Sequence, residues 1–379
     1  MIDPRIQSLS RVVCEYSLEL KPGQLMLIEG PALAEPLMLE LVKTALEMGA
    51  IPRVRPVTAG AQAAFLENAS DEQLAYLAPS ALPELAAIDV RVAIHAAWNT
   101  RELSGIDPRR MAAAQSARKP LMDLNMRRSA DGLLNWCVTA FPCEAFAQDA
   151  DMALVDYEDF VYGAGWLHLA DPVAAWREFA AKLQQIVDRL AGVRTMRVVG
   201  EDTDITVGVA DRRWIPCHGD RNFPDGEVYT APIETETRGD VRFSYPAIFG
   251  GREVDDIRLR FDGGRVIKSE AASGGDLLRE MLAMDDGASI LGEFAIGANY
   301  EVERYSKQIL FDEKIGGTCH MAVGAGYPES GSTNTSALHW DMICDLRSGG
   351  EILADDEVIY RDGRFLPEFA PELAPASGS

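Results

Sequence analysis

Histidine is scarce in this chain, with five in 379 residues, and positive charge is outnumbered: 36 Lys and Arg stand against 59 Asp and Glu, a net charge of −23. So acidic a chain excludes a nucleic acid or an anionic membrane surface as partner, because both call for clustered basic residues. The excess acid is read first as a source of solubility. None of the six cysteines, Cys14, Cys137, Cys143, Cys217, Cys319 and Cys344, forms a C-x-x-C pair, and their scatter reads as reduced, mostly buried cysteines rather than a disulfide framework. The opening "MIDPRIQSLSRVV" carries charges where a secretory signal needs an apolar stretch. No apolar run approaches the ~18 residues that span a bilayer. A cytoplasmic protein is expected. The turn "EGPALAEP" lacks the glycines of a dinucleotide or P-loop phosphate cradle, and H-E-x-x-H is missing, so a thermolysin-like protease is excluded.

What is present divides the chain in two, as its length suggests. The first part reads as α/β. "GQLMLIEG" is a buried strand, "EPLMLELVKTALEMGA" has helical spacing ended by Gly49, and "IPRVRPV" is a second strand; together they form a βαβ unit and imply a parallel sheet. "VRVAIHAA" and "KPLMDLN" are predicted as further strands. Asp171 and Pro172 open the clearest helix, whose stripe of Trp176, Phe179, Leu183, Ile186, Val187 and Leu190 is core packing. After Gly192 the period changes to two. "DDIRLRFDGGRVIKSEA" is a hairpin and "ILADDEVIYRDGRFL" a meander, so the second part is an α+β domain rich in antiparallel strands. The expected organisation is an α/β domain over 1–192 with a mainly parallel sheet, a second domain over 193–368 that holds all the candidate site residues, and a disordered tail over 369–379.

Two of the five histidines fall in "GGTCHMAVGAGYPESGSTNTSALHWDM". His339 and Asp341 are two apart, and on a strand such residues share a face. His320 lies on the preceding strand-like segment, and a hairpin between the two segments would let it face His339. Two imidazoles and a carboxylate are enough to bind one divalent cation. Tyr327 sits at the start of the connecting loop. Glu227, in "NFPDGEVYTAP", stands at a strand mouth. Glu293 is the lone charge of "ILGEFAIG" and must be paired, liganded or protonated if buried. Cys319 points to the opposite strand face from His320.

Four blocks in this order, "NFPDGEVYTAP", "LGEFAIG", "ILFDEKIGGTCHMAVGAGYPE" and "SALHWDMICDL", resemble the motifs of the metal-dependent aminopeptidase family typified by aminopeptidase T and aminopeptidase S. The resemblance covers nearly the full chain and is strongest from about Asp220 to Arg347. It implies a site of two divalent ions held by Glu227, Glu293, His320, Tyr327, His339 and Asp341, and such His/carboxylate ligation suits zinc, cobalt or manganese. It also implies a peptide substrate with a free N-terminus and a homodimer. The loop between Tyr327 and His339 is shorter than in typical members. Charge arithmetic agrees with two ions: Glu227, Glu293 and Asp341 supply three of the four negative charges that a pair of dications calls for, and a hydroxide supplies the last. Tyr327 is left open as a ligand or as a hydrogen-bond donor to the oxyanion. The alternative is a non-haem Fe(II) ring-opening dioxygenase of the dihydroxypyridine type, using His320, His339 and Asp341 as a facial triad. Such a site gives Glu227 and Glu293 no role. A non-catalytic binding protein on the same fold predicts lost ligand positions, whereas all six here are competent.

Overall fold

The computed structural model describes residues 3–373. Two compact units divide the chain: Met1–Ala175 with Gly219–Pro224, and Trp176–His218 with Asp225–Ser379. The division falls inside the helix Pro172–Leu190, whose far end is the expected boundary at Gly192.

The first unit carries a five-stranded parallel sheet in the order Ile51–Val57, Leu25–Pro31, Val90–His95, Asn135–Ala140, Asn222–Phe223. Met26, Leu27 and Ile28 are consecutive and buried, as expected of a strand covered on both faces. The βαβ unit read from the sequence is present: strand Leu25–Pro31, helix Glu35–Glu47, strand Ile51–Val57, with Leu25 opposite Ile51. The edge strand Ile51–Val57 directs Ile51 N–H inward, to the Gln24 carbonyl, so Pro52 and Pro56 face outward. Prolines there remove donors from the open edge and oppose pairing with another chain.

One predicted strand is a helix. "KPLMDLN" opens the helix Lys119–Ala130. It has no β-branched residue, its Leu and Met are strong helix formers, and Pro120 falls in the first turn, where its missing N–H costs nothing. Lys119 and Asp123 add an i, i+4 ion pair of 3.0 Å.

The helix Pro172–Leu190 is capped as read, with Asp171 Oδ1 accepting the Ala174 N–H at 3.2 Å. Its apolar stripe is buried throughout.

The second unit holds two antiparallel sheets. The larger has eight strands and includes both the hairpin and the meander read from sequence; Ile257, Leu259 and Phe261 face its core. The smaller runs in the order His339–Asp345, Thr318–Gly324, Leu291–Gly297, Glu227–Thr230, Ile215–Cys217. The fold class is thus the expected one: a parallel sheet with helices in the N-terminal part and antiparallel sheets in the C-terminal part. Of the stretch expected to be a disordered tail, 369–373 is described and packed. Phe369 stacks on Phe365 at 6.0 Å and Ala370 is buried. The rest lies outside the described residues. No helix among those described is long and apolar enough to cross a membrane.

Candidate metal centre

The register of the smaller sheet builds the centre. Residues directly opposite on neighbouring antiparallel strands share a face. Asp341 lies opposite Ala322, Ala322 opposite Glu293, His320 opposite Ala295, and Glu227 opposite both Gly297 and Cys217. Stepping by two along each strand puts Cys217, Glu227, Glu293, His320, His339 and Asp341 on one face. The positions between them are Ala295, Gly297 and Ala322, so a row of functional side chains stands over a floor of small ones. A bulge between Leu291 and Glu293 adjusts the register at Glu293. The expected hairpin between the two histidine strands is present. Gly324, not His320, lies opposite His339, so the two imidazoles share a face with Asp341 between them.

His320 is fully buried; its Nε2 lies 3.3 Å from Glu293 Oε1 and 3.4 Å from Glu227 Oε2. His339 Nε2 lies 3.3 Å from Asp341 Oδ2 and 4.0 Å from Glu293 Oε2. The other ring nitrogen of His339, Nδ1, is 2.7 Å from the Ala325 carbonyl. A proton on Nδ1, donated to that carbonyl, fixes the tautomer and leaves Nε2 free to ligate. Tyr327 joins through its ring, which packs edge-on against His339 at 5.3 Å and Tyr229 at 5.5 Å.

Four residues that the sequence reading gave no role, Cys217, Asp225, Glu313 and Lys314, join the centre. The helical turn Ile309–Asp312 is followed by Glu313 and Lys314. Lys314 is buried, with Nζ 2.6 Å from Glu227 Oε1, 3.0 Å from Glu313 Oε2 and 3.5 Å from Asp225 Oδ1. Ligand atoms of Glu227, Glu313 and His320 lie within 4.8 Å of one another, as do those of Glu293, His320 and Asp341 and those of Cys217, Asp225 and Glu227. The signal for Glu313 and Lys314 was the pair of opposed charges just before Gly316-Gly317, but nothing in the spacing says that this turn folds over the sheet face.

Gly297 explains why it can. A Cβ on Gly297 would lie 2.2 Å from the Ile315 carbonyl oxygen, so the bare glycine lets the turn carrying Glu313 and Lys314 settle there. Gly297→Ala is therefore expected to lower stability by about 1–3 kcal/mol, the usual cost of overpacking. It should also weaken metal uptake. Urea unfolding of the metal-free protein measures the first effect and metal titration the second. An unchanged midpoint would contradict the packing account.

Electrostatics follow from crowding. Burial drives the Glu293 carboxyl above its ordinary range against the pull of His320, and Asp341 and Glu227 push the same way as burial. Burial likewise lifts Glu313 to about 8 although Lys314 opposes it. Burial pulls His320 down, but Glu227, Glu293 and Glu313 outweigh it and leave the imidazole at about 9. His339 is raised to about 10 by Asp341, Glu293 and the Ala325 carbonyl against the same penalty. For Asp341, burial is overcome by His339 and His320, which hold the carboxyl well below the usual range. Lys314, opposed by burial but surrounded by Glu227, Glu313 and Asp225, keeps its charge.

The donor set fits divalent ions. Glu227 Oε2, Glu293 Oε2, His320 Nδ1 and Asp341 Oδ1 are all buried and have no hydrogen-bond partner. Buried polar atoms are nearly always satisfied, and here unsatisfied atoms belong to residues whose ligand atoms lie within 4.8 Å of one another, Glu293, His320 and Asp341 in one group and Glu227 with His320 in another.

Comparison with known proteins agrees. A model of the thermophilic metalloprotease (M29) family matches residues 2–365. The chain is 28% identical over 426 residues to aminopeptidase 2 of Geobacillus stearothermophilus, covering 97% of this chain and 99% of that one. Among solved structures it resembles wild-type AmpT from Thermus thermophilus, with a TM-score of 0.84 and 24% identity over 96% of this chain and 99% of that one. It also resembles 2,5-dihydroxypyridine dioxygenase from Pseudomonas putida KT2440, with a TM-score of 0.60 and 11% identity over 98% of this chain and 100% of that one. At these identities the two structural likenesses establish the fold alone.

Proposed function

We propose, from the premise that this chain belongs to the thermophilic metalloprotease (M29) family and is a metalloaminopeptidase, that it removes the N-terminal residue of peptides with a water activated at two divalent ions. The observation that carries this is the grouping of Glu227, Glu293, His320 and Asp341, buried residues that each keep an unpartnered ligand-type atom. Those residues, with Nε2 of His339, would hold the ions, and Tyr327 borders the group. When bound, divalent ions polarise a carbonyl and lower the pKa of a water towards neutrality.

The chain's own residues supply the rest. The substrate's neutral α-amine would be held at the centre, which is why a free N-terminus is required. Glu313, grouped with Glu227 and His320 and 3.0 Å from Lys314 Nζ, is placed as the base that accepts the water's proton and returns it to the leaving amine. Lys314 anchors Glu227 at 2.6 Å and offsets the negative charge around it. Burial and the carboxylates of Glu293 and Asp341 push the Tyr327 hydroxyl upward, so it keeps its proton. We assign it to donate a hydrogen bond to the developing oxyanion. We further take the protein to be a cytoplasmic homodimer, supported respectively by its six free cysteines and by the resemblance noted above.

The test is metal content per chain together with turnover of an unblocked aminoacyl-anilide, with and without added Zn²⁺, Co²⁺ or Mn²⁺. The expected result is two ions per chain and cleavage that is abolished when the substrate is N-acetylated. One iron per chain and no cleavage would overturn the reading in favour of the ring-opening dioxygenase, whose triad is contained in the same residues.

A further inference from the structure

Beside the centre lies a cleft of about 180 Å³ within the second unit, walled by Ile248, Phe249, Tyr305, Ile309 and Trp340; His339 and Asp341 also line it. Such a volume is below the roughly 300–1,000 Å³ of sites for drug-sized ligands, and suits one side chain rather than a whole peptide. Charged groups at its margin are already engaged. Lys307 Nζ lies 3.3 Å from Glu253 Oε1, and Asp312 Oδ1 accepts the Ser306 N–H at 2.7 Å and the Ser306 hydroxyl at 2.8 Å. What remains for a ligand is apolar surface. Phe249 and Trp340 meet edge-to-face at 5.7 Å, and Ile309 is 52% exposed. Trp340 itself is buried, and its indole Nε1 has no hydrogen-bond partner. Trp340 thus contributes its ring to the apolar wall rather than a hydrogen bond to the ligand.

The strand edge points the same way. Leu338 and Leu346 bond to the neighbouring strand through Ala325 and Gly317, whereas Asp345 N–H turns outward to Ser244 Oγ. By the alternation of an antiparallel ladder, His339, Asp341 and Ile343 also direct their main-chain groups outward. Among the described residues no strand pairs with that edge. The cleft therefore combines an apolar wall with main-chain donors and acceptors, next to the reacting centre.

We propose that this cleft receives the side chain of the substrate's N-terminal residue and selects large apolar and aromatic residues over small or charged ones. The inference rests on the aminopeptidase reading and specifies its substrate class. Only one Cα separates the amine from the scissile carbonyl, so the side chain it bears must leave the centre at once, and this cleft shares two residues with the centre.

The test uses the metal-loaded full-length protein and two variants. Ile309→Trp fills the cleft from a half-exposed position, and Phe249→Ala enlarges it. Anilides of Leu, Phe, Ala and Lys report kcat/KM, and calorimetry of free L-leucine and L-alanine reports binding without turnover. Wild type should prefer Leu and Phe. Ile309→Trp should lose roughly tenfold or more on Leu and Phe relative to Ala, the scale of one or two methylenes in an apolar pocket. Its leucine affinity should fall in parallel while alanine affinity holds, with metal content unchanged. Phe249→Ala should move preference towards the larger of the two apolar substrates. Equal changes on every substrate, or none, would overturn the cleft assignment and leave the aminopeptidase reading standing. A wild-type protein that cleaves no unblocked anilide would overturn both.

Discussion

His320→Ala removes bound metal and lowers kcat/KM by more than about a hundredfold. Groups that only orient a metal ligand are typically worth 10–100-fold in metal affinity or activity, so a residue assigned to direct ligation must exceed that range. His320 is the best placed of the set. It is fully buried on a central strand, within 3.4 Å of both Glu227 and Glu293, and it belongs to two of the three groups of converging donors. Without the imidazole those two carboxylates face each other across a hollow with no cation between them, so ions lose a donor and the apo site loses a positive charge. Elemental analysis of the purified variant and steady-state kinetics at saturating metal check this. A variant that retains two ions and a tenth of the wild-type rate would refute the assignment. His95→Ala, outside the centre, is the control expected to keep both.

Metal uptake at pH 7 releases at least two protons per chain. His320 and His339, at about 9 and about 10, are both protonated there in the metal-free protein, and an imidazole must be neutral to ligate. Each proton released steepens affinity about tenfold per pH unit, so two give about a hundredfold per unit. Calorimetry in buffers of different ionisation enthalpy counts the protons directly. A count near zero would mean that the histidines are not ligands. The sign for stability follows from the same shifts. Groups raised in the folded state stabilise it below their unfolded pKa, near 6.5 for histidine and near 4.5 for glutamate, and that contribution is lost as pH climbs through the folded value. Glu313 acts this way from pH 4.5 to about 8, and His320 and His339 from 6.5 to about 9 and about 10, so the metal-free protein weakens as pH rises from 4.5 to about 10. Over that window the melting temperatures of metal-loaded and chelator-treated protein should diverge. Asp341, whose pKa is lowered, acts in the opposite sense, and its contribution disappears only as pH falls below the ordinary carboxylate range.

Much of this architecture could be read from side-chain alternation. His339 and Asp341 share a face because strands have a period of two, and Ile257, Leu259 and Phe261 mark their hairpin by the same rule. The helix after Asp171 declared itself through its cap and stripe. "KPLMDLN" failed because seven residues cannot separate periods, and its helix buries none of its residues, so no apolar stripe existed to find. Glu313 and Lys314 failed for a different reason. Their place depends on a turn that rests on Gly297, a contact between segments distant in sequence that no local pattern encodes. The apolar cleft was equally silent: Phe249, Ile309 and Trp340 come from three segments with no shared period.

The row of side chains across the smaller sheet also governs when the centre can come into being during folding. No single hairpin contains it, for Glu227, Glu293, His320 and Asp341 stand on four different strands. A slip of one residue in any pairing would turn that strand's contribution to the opposite face. Non-local antiparallel pairing is among the slower steps available to a chain. The newly made protein must therefore complete this sheet in register before an ion finds all its donors, which makes metal capture a late event and a chemical record that assembly has finished.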